Sequence, residues 1–495
     1  MEVTSARQRR RKIGLKTKLG FAFGSVEEAM VGAAGVATML YYNQVLGVPA
    51  ALCGTAFLIA SVVDAISDPL IGALSDSVRT RWGRRHPFMF LSALPLGVSF
   101  YLLYQPPASL DQSGLFLWFT CTFVALRLFK TFYAIPHAAL GAELTDDYNE
   151  RTKLFGWNWI VGYVGSVVLT ALVLIVIFPS SPEYENGLLN QERYQWLAVL
   201  GAIVVAGAVL ISAATTVDQI PQLHRMAAMA PERAGVYLRR LLRETFGNFA
   251  ALIRNPSYVA VCLCWLILAI SGGVIAVVST YTFVYAFEFS TEQITLQQLV
   301  RIPGALLAVG LAAWLTRLLD KKLTVISMIA VTTFLIGLPY CLKLLGWFPG
   351  NDTVWVLVAF FGIWMLGYTT LPIVPIVIDS QLVDIADEHE LKTGRRAEGA
   401  IFSIRTFAIK MTQGLGGLIG GFGLDMIGFP ENASAQTLDP AVVDGLLFMM
   451  GPLYYIVVYA GLGFAFMYRI DRKRHEEILQ ALEQRRARVE SGSPA

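Results

Sequence analysis

The sequence predicts an all-α integral membrane protein: twelve transmembrane helices in two pseudo-symmetric six-helix bundles. Three observations predict it. Of 495 residues, 55% are hydrophobic and only 15% are charged, whereas soluble domains carry about a quarter charged residues. The apolar residues fall into stretches that match the roughly 20 residues needed to cross a bilayer. Lys and Arg collect in every second connection between those stretches, the asymmetry that orients membrane helices. Mean hydropathy is +0.56.

The stretches lie near 19–44, 50–75, 87–105, 114–141, 154–178, 194–216, 256–286, 292–318, 323–346, 353–383, 398–428 and 443–469. Their scattered Gly and Pro are tolerated in membrane helices. The alternating pattern of a membrane β-barrel is absent.

Cations mark one side of the membrane. They are Arg7, Arg9, Arg10, Arg11 and Lys12 at the start, Arg79, Arg81, Arg84 and Arg85 after span 2, and Arg225, Arg233, Arg239, Arg240 and Arg243 after span 6. Arg317, Lys321 and Lys322 follow span 8, Lys392, Arg395 and Arg396 follow span 10, and Arg472, Lys473 and Arg474 lie in the tail. The alternate connections offer only Arg193, Arg301 and Lys343. Both termini are therefore expected in the cytoplasm, with the chain in a bacterial inner membrane. The polar start "MEVTSARQRRRKIGLKTK" precedes an apolar run too long for a signal peptide, so no cleavable one is expected. The cysteines Cys53, Cys121, Cys262, Cys264 and Cys341 read as small core residues, with no disulfide.

Five segments follow: a basic N-terminus (1–18), a first bundle (19–216), a cytoplasmic linker (217–255), a second bundle (256–469) and a tail helix (470–495). The linker contains "GVYLRRLLRETFGNF", which reads as a basic amphipathic helix at the membrane surface. Two six-span halves predict a carrier with substrate bound near the midplane between them. A small-molecule substrate and membrane lipid are the expected partners, with no nucleic acid, no cofactor and a monomeric state. HExxH, GxSxG, P-loop and Rossmann patterns are absent, which argues against an enzyme or an ATP-driven pump.

Charged residues at bilayer depth are functional candidates, because insertion there costs about 3 kcal/mol each. Asp64 and Asp68 lie in the middle of span 2, four apart and so on one helix face. Two close carboxylates repel unless a cation or a proton lies between them. The pair therefore suits Na⁺ binding or proton carriage, the alternative being a structural salt bridge. Glu27 and Glu28 in span 1 point about 100° apart, so only one is expected to face the cavity and contact substrate or cation, the alternative being that one of them pairs with a cation on another helix. In span 4, Arg127 and Lys130 share a face and either neutralise the span 2 acids or attract an anionic group. Lys410 sits about a dozen residues into span 11, where a buried lysine seeks carboxylates. Trp157, Asn158 and Trp159 open span 5, where indoles either stack on sugars or mark the interface.

"GALSDSVRTRWGRR" after span 2 resembles the major facilitator superfamily signature through Gly72, Asp76, Gly83, Arg84 and Arg85, and "LTRLLDKK" after span 8 is a degenerate counterpart. The resemblance implies that Asp76, Gly83, Arg84 and Arg85 form a conformational latch. "LYYNQVLGVPAALCGTAFLIASVVDAISDP" and "DEHELKTGRRAEGAIFS" resemble the glycoside–pentoside–hexuronide:cation symporter family, melibiose-carrier-like. That resemblance implies that Asp64 and Asp68 bind the coupling Na⁺ or H⁺ with help from Thr131. It also implies that Glu28 contacts sugar hydroxyls and that Lys410 is the family's span 11 lysine. Ala134, Ala138 and Trp159 stand where the family has aspartate, tryptophan and arginine, so the galactoside site is not preserved. The implied function is cation-coupled symport of a sugar or glycoside. Lys130 hints at an anionic one. A lysophospholipid carrier and a non-transporting receptor on a carrier fold are the alternatives.

Overall fold

A computed structural model describes residues 13–78, 80–145, 147–221, 252–393, 398–434 and 437–490. The arginines at 7–11, Arg79, Arg395, Arg396 and most of the 217–255 linker, with its basic helix, lie outside the described residues.

The first half begins with α1 (Leu15–Phe23) and α2 (Ser25–Leu40), which meet at Gly24 and end in a π-helical turn, Tyr41–Val45. Then come α3 (Ala50–Ser77), α4 (His86–Leu103), α5 (Gln112–Glu143), α6 (Tyr148–Leu172) and α7 (Arg193–Thr216). The second half holds α8 (Pro256–Tyr281), the short α9 (Thr291–Ile294) and α10 (Leu296–Val300), α11 (Ile302–Leu344), α12 (Val354–Thr370), α13 (Ile373–Thr393) and α14 (Glu398–Met426). It closes with α15 (Pro440–Phe448), α16 (Tyr454–Ala465) and α17 (Arg472–Glu490). Among the described residues there is no β-strand, only a bridge between Thr80 and Gly83.

Among the described residues, ten stretches are long and apolar enough to cross a membrane. One of them ends α11, which is two helices meeting at Asp320 (φ 67°, ψ 162°). With that division, and with the 29-residue α14 added, the helices agree with the twelve spans expected. Spans 1 and 7, six apart, both end in a π-helical turn, Tyr41–Val45 and Thr282–Ala286.

The chain forms two compact units: Met1–Leu46 with Val62–Arg239, and Gly47–Ser61 with Arg240–Ala495. In the first, buried aromatic rings lock the end of span 1. Tyr41 stacks on Tyr194 at 3.9 Å and Tyr42 on Phe119 at 4.1 Å, and Tyr42 Oη donates to the Leu103 carbonyl at 2.6 Å. In the second unit Phe283, Phe287, Phe360 and Trp364 form a comparable cluster after the span 7 π turn.

The second unit also carries a close helix seam. The start of α3 lies against α14 through Gly54, Gly414, Gly417 and Gly421. A Cβ on Gly421 would stand 2.3 Å from the Ala50 carbonyl oxygen, so only glycine fits there. The tail helix α17 buries Ile478 and Leu482 in a hydrophobic cluster with Ile378, Ile385 and Tyr468. Its His475 Nε2 lies 3.3 Å from both Asp384 and Asp387 of α13, and Lys321 donates to Asp384 at 2.7 Å.

Candidate functional site

Asp64 and Asp68 present their carboxylates on one face of α3, and Arg127 and Thr131 recur with the same four-residue step on α5. Four residues advance a helix by about 6 Å, so the two pairs meet as successive rungs. Arg127 Nη2 donates to Asp64 Oδ2 at 2.7 Å, and Thr131 Oγ1 lies 2.9 Å from Asp64 Oδ1 and 3.1 Å from Asp68 Oδ1. Asp64 and Thr131 are buried, and Asp68 is half-buried. Arg127 is thus a partner of the aspartates, the first of its two expected roles.

Two carboxylates and one guanidinium leave these four residues with a net charge of −1. The single Thr131 proton can bond only one of the two carboxylates at a time. A cation or a proton between the two carboxylates would relieve their mutual repulsion. Among the described residues, no cluster of three or more His, Cys, Asp or Glu side chains is arranged to hold a metal ion. The donor set is two carboxylates and a hydroxyl, oxygen ligands of the kind a hard cation takes.

One turn along α5, Lys130 Nζ donates to Glu28 Oε1 of α2 at 3.1 Å. The Glu28 side chain is 75% exposed, whereas Glu27 is 1% exposed, turned into the helix packing. The 100° between neighbours on a helix therefore separates the two acids as expected. On α6, Trp157 and Trp159 are both exposed, and Trp159 stacks on Tyr163 at 5.3 Å. Asn158 Oδ1 is buried without a hydrogen-bond partner, and its backbone carbonyl accepts from Ser25 Oγ at 3.1 Å. Lys410 lies half-buried on α14, in the second unit.

The signature residues come together at one end of the first unit. Arg85 donates through Nη2 to Asp76 and, at 2.7 Å, to Glu143 Oε1, and through Nη1 to Ser75 Oγ at 2.7 Å. Arg84 pairs with Glu143 at 3.1 Å. Gly83 has φ +78° in the turn that returns the chain to α4, a conformation that favours glycine. The ends of α3, α4 and α5 are tied by these bonds. Sequence reasoning missed Glu143 and Ser75. The available signal for Glu143 was an acid at the end of span 4, on the side where Arg84 and Arg85 gather.

The comparisons agree with this architecture. Residues 20–472 match the family described as MFS/sugar transport protein, and the chain belongs to that family. It is similar to three curated carriers. The inner membrane symporter YicJ of Escherichia coli (strain K12) is 24% identical over 86% of this chain and 85% of its own. The isoprimeverose transporter of Lactiplantibacillus pentosus is 25% identical, covering 91% and 87%. The glucuronide carrier protein homolog of Escherichia coli (strain K12) is 25% identical, covering 96% and 97%. Among solved structures, an inward-facing, unoccupied bacterial homologue of the human lysosomal transporter Spinster shares the fold. Its TM-score is 0.61 at 13% identity, over 94% of this chain and 97% of that one. The protein is an integral membrane transporter of the major facilitator fold, not an enzyme.

Proposed function

We propose that the protein imports a sugar or glycoside together with one monovalent cation, Na⁺ or H⁺, across a bacterial inner membrane. The carrying observation is the Asp64–Asp68–Thr131–Arg127 cluster, two carboxylates and a hydroxyl brought together between two apolar helices. The cation neutralises Asp64 and Asp68, and alternating access follows as the two halves rock about the midplane. Glu28, exposed and one turn of α5 from the cation site, accepts hydroxyl protons of the sugar. Lys130 holds Glu28 in place, and Trp157 and Trp159 offer ring faces for stacking. Lys410, on α14 of the second unit, is a further candidate for contact with the substrate. Asp76, Gly83, Arg84 and Arg85 latch the helix ends. Both termini are cytoplasmic, and the two bundles are 19–216 and 256–469.

The names of the relatives, which include symporter, isoprimeverose transporter and glucuronide carrier, support a sugar-type cargo. A thermal-shift screen tests the reading, because a ligand that binds the native state stabilises it by mass action. Isoprimeverose, a glucuronide and a lysophospholipid are compared with and without Na⁺, at two pH values. The expected result is stabilisation by a sugar that grows with Na⁺ or with acid. Stabilisation by the lysophospholipid alone would replace the sugar reading.

A further inference from the structure

Three polar atoms on three helices of the second unit are buried without a hydrogen-bond partner and stand together: Asp379 Oδ1 on α13, Arg405 Nε on α14 and Trp265 Nε1 on α8. Arg405 Nε lies 2.8 Å from Asp379 Oδ1, and the guanidinium carbon lies over the Trp265 ring, 5.3 Å from its centroid. Asp379 and Arg405 therefore attract each other as charges. The Nε–H does not point along the contact, however, and the hydrogen-bonding capacity of both atoms is unspent. A buried ion pair offsets the cost of leaving water only when its geometry is good and its remaining polar groups are satisfied. This pair meets neither condition, so it is a poor structural strut. It does not face lipid either. Although Oδ1 is covered, the Asp379 side chain is 41% exposed, and charged groups within spans face the bundle interior or a water-filled cavity.

Arg405 and Trp265 hold N–H donors, Asp379 is an acceptor, and a hydroxyl group can serve both kinds of partner at once. The charges of Arg405 and Asp379 cancel, so the pair offers an anion no net attraction and a neutral polyol no unmatched charge. We propose that Asp379, Arg405 and Trp265 are the second unit's binding site for the cargo, and that the cargo is a neutral glycoside held there by two adjacent ring hydroxyls. One hydroxyl donates to Asp379, and the oxygens of both accept from Arg405 and Trp265. The indole face holds the guanidinium in place by a cation–π contact. This inference rests on the sugar reading above and narrows it to an uncharged cargo.

Ligand-dependent thermal shifts of the purified protein test this with two probes, isoprimeverose as the neutral glycoside and methyl glucuronide as the anionic one. The wild type is expected to respond to isoprimeverose at the lower concentration. Asp379→Asn and Arg405→Gln are each expected to weaken isoprimeverose about ten- to a hundredfold, the loss of a hydrogen bond to a charged group. Trp265→Phe keeps the ring and both charges and is expected to weaken it about two- to tenfold. The double variant Asp379→Asn/Arg405→Gln separates binding from folding, because it leaves neither charge unpaired. A structural pair would regain both its sugar-free melting temperature and its sugar affinity there, whereas a binding pair regains only the first. Wild-type affinity for isoprimeverose in the double variant, or no loss in Trp265→Phe, would overturn the site. A loss confined to methyl glucuronide, or a wild-type preference for it, would overturn the neutral cargo and make Arg405 the reader of a carboxylate. A wild type that responds to neither probe would overturn the sugar reading and this inference with it. A response to isoprimeverose that the variants leave untouched would overturn this inference alone.

Discussion

Thr131 has one hydroxyl proton and two carboxylates within reach, which makes it the most economical probe of the cation site. Thr131→Val keeps the side chain's shape and removes the hydroxyl. A hydrogen bond to a charged group is worth about 1.5–3 kcal/mol, so the apparent affinity for the coupling cation is expected to fall about ten- to a hundredfold. The measurement is the concentration of Na⁺ or H⁺ that gives half-maximal uptake or thermal stabilisation. An unchanged value would remove Thr131 from the site, and Thr131→Ser should recover most of the loss. Lys130 gives a second residue-scale prediction. Its bond to Glu28 is exposed, and exposed pairs contribute only about 0.2–1 kcal/mol to stability. Lys130→Gln should therefore leave the fold intact and weaken isoprimeverose and a glucuronide by similar factors, read by ligand-dependent thermal shifts. A glucuronide-selective loss would instead make Lys130 the reader of an anionic cargo. At this scale the aspartates were legible because charge at bilayer depth is rare and the i, i+4 spacing is unambiguous. The partner of Arg127 was not, since both a carboxylate and a substrate anion fit its chemistry. Glu143 was not either, because an acid near a helix end has no signal of its own.

Helix contacts set the next scale. Gly421 and Gly54 let α3 and α14 approach so closely that a methyl group has no room. Overpacking of this kind costs about 1–3 kcal/mol, so Gly421→Ala is expected to lower the melting temperature in detergent. Gly32→Ala or Gly35→Ala, where nothing lies within 4 Å of the new Cβ, should leave it unchanged. Equal effects at both kinds of position would mean that the seam is not tightly packed. The spans themselves were legible from length and hydropathy, because a bilayer imposes both. The interruptions inside them were not. Gly24 divides span 1, yet glycine is ordinary in membrane helices and does not by itself announce a break. The turn between spans 8 and 9 was legible, since Asp320, at positive φ, falls in the charged connection expected there. The π turns at Tyr41–Val45 and Thr282–Ala286 carry no sequence signature.

For the whole molecule, the proposed topology, with the termini and the central linker in the cytoplasm, rests on the Lys and Arg asymmetry. A cysteine introduced at Arg233 in a cysteine-free background is expected to stay unreactive to a membrane-impermeant reagent in intact cells and to react once the cells are opened. Labelling in intact cells would invert the topology. The central claim, however, is coupling: that Asp64 and Asp68 hold the ion whose gradient drives the sugar. The direct measurement is uptake of a sugar identified in the thermal-shift screen into proteoliposomes with an imposed Na⁺ or H⁺ gradient, compared with exchange at equal sugar and ion concentrations. Asp64→Asn and Asp68→Asn are each expected to abolish concentrative uptake, since neither amide restores the missing negative charge, while equilibrium exchange persists. Full concentrative uptake by both single variants would contradict the account.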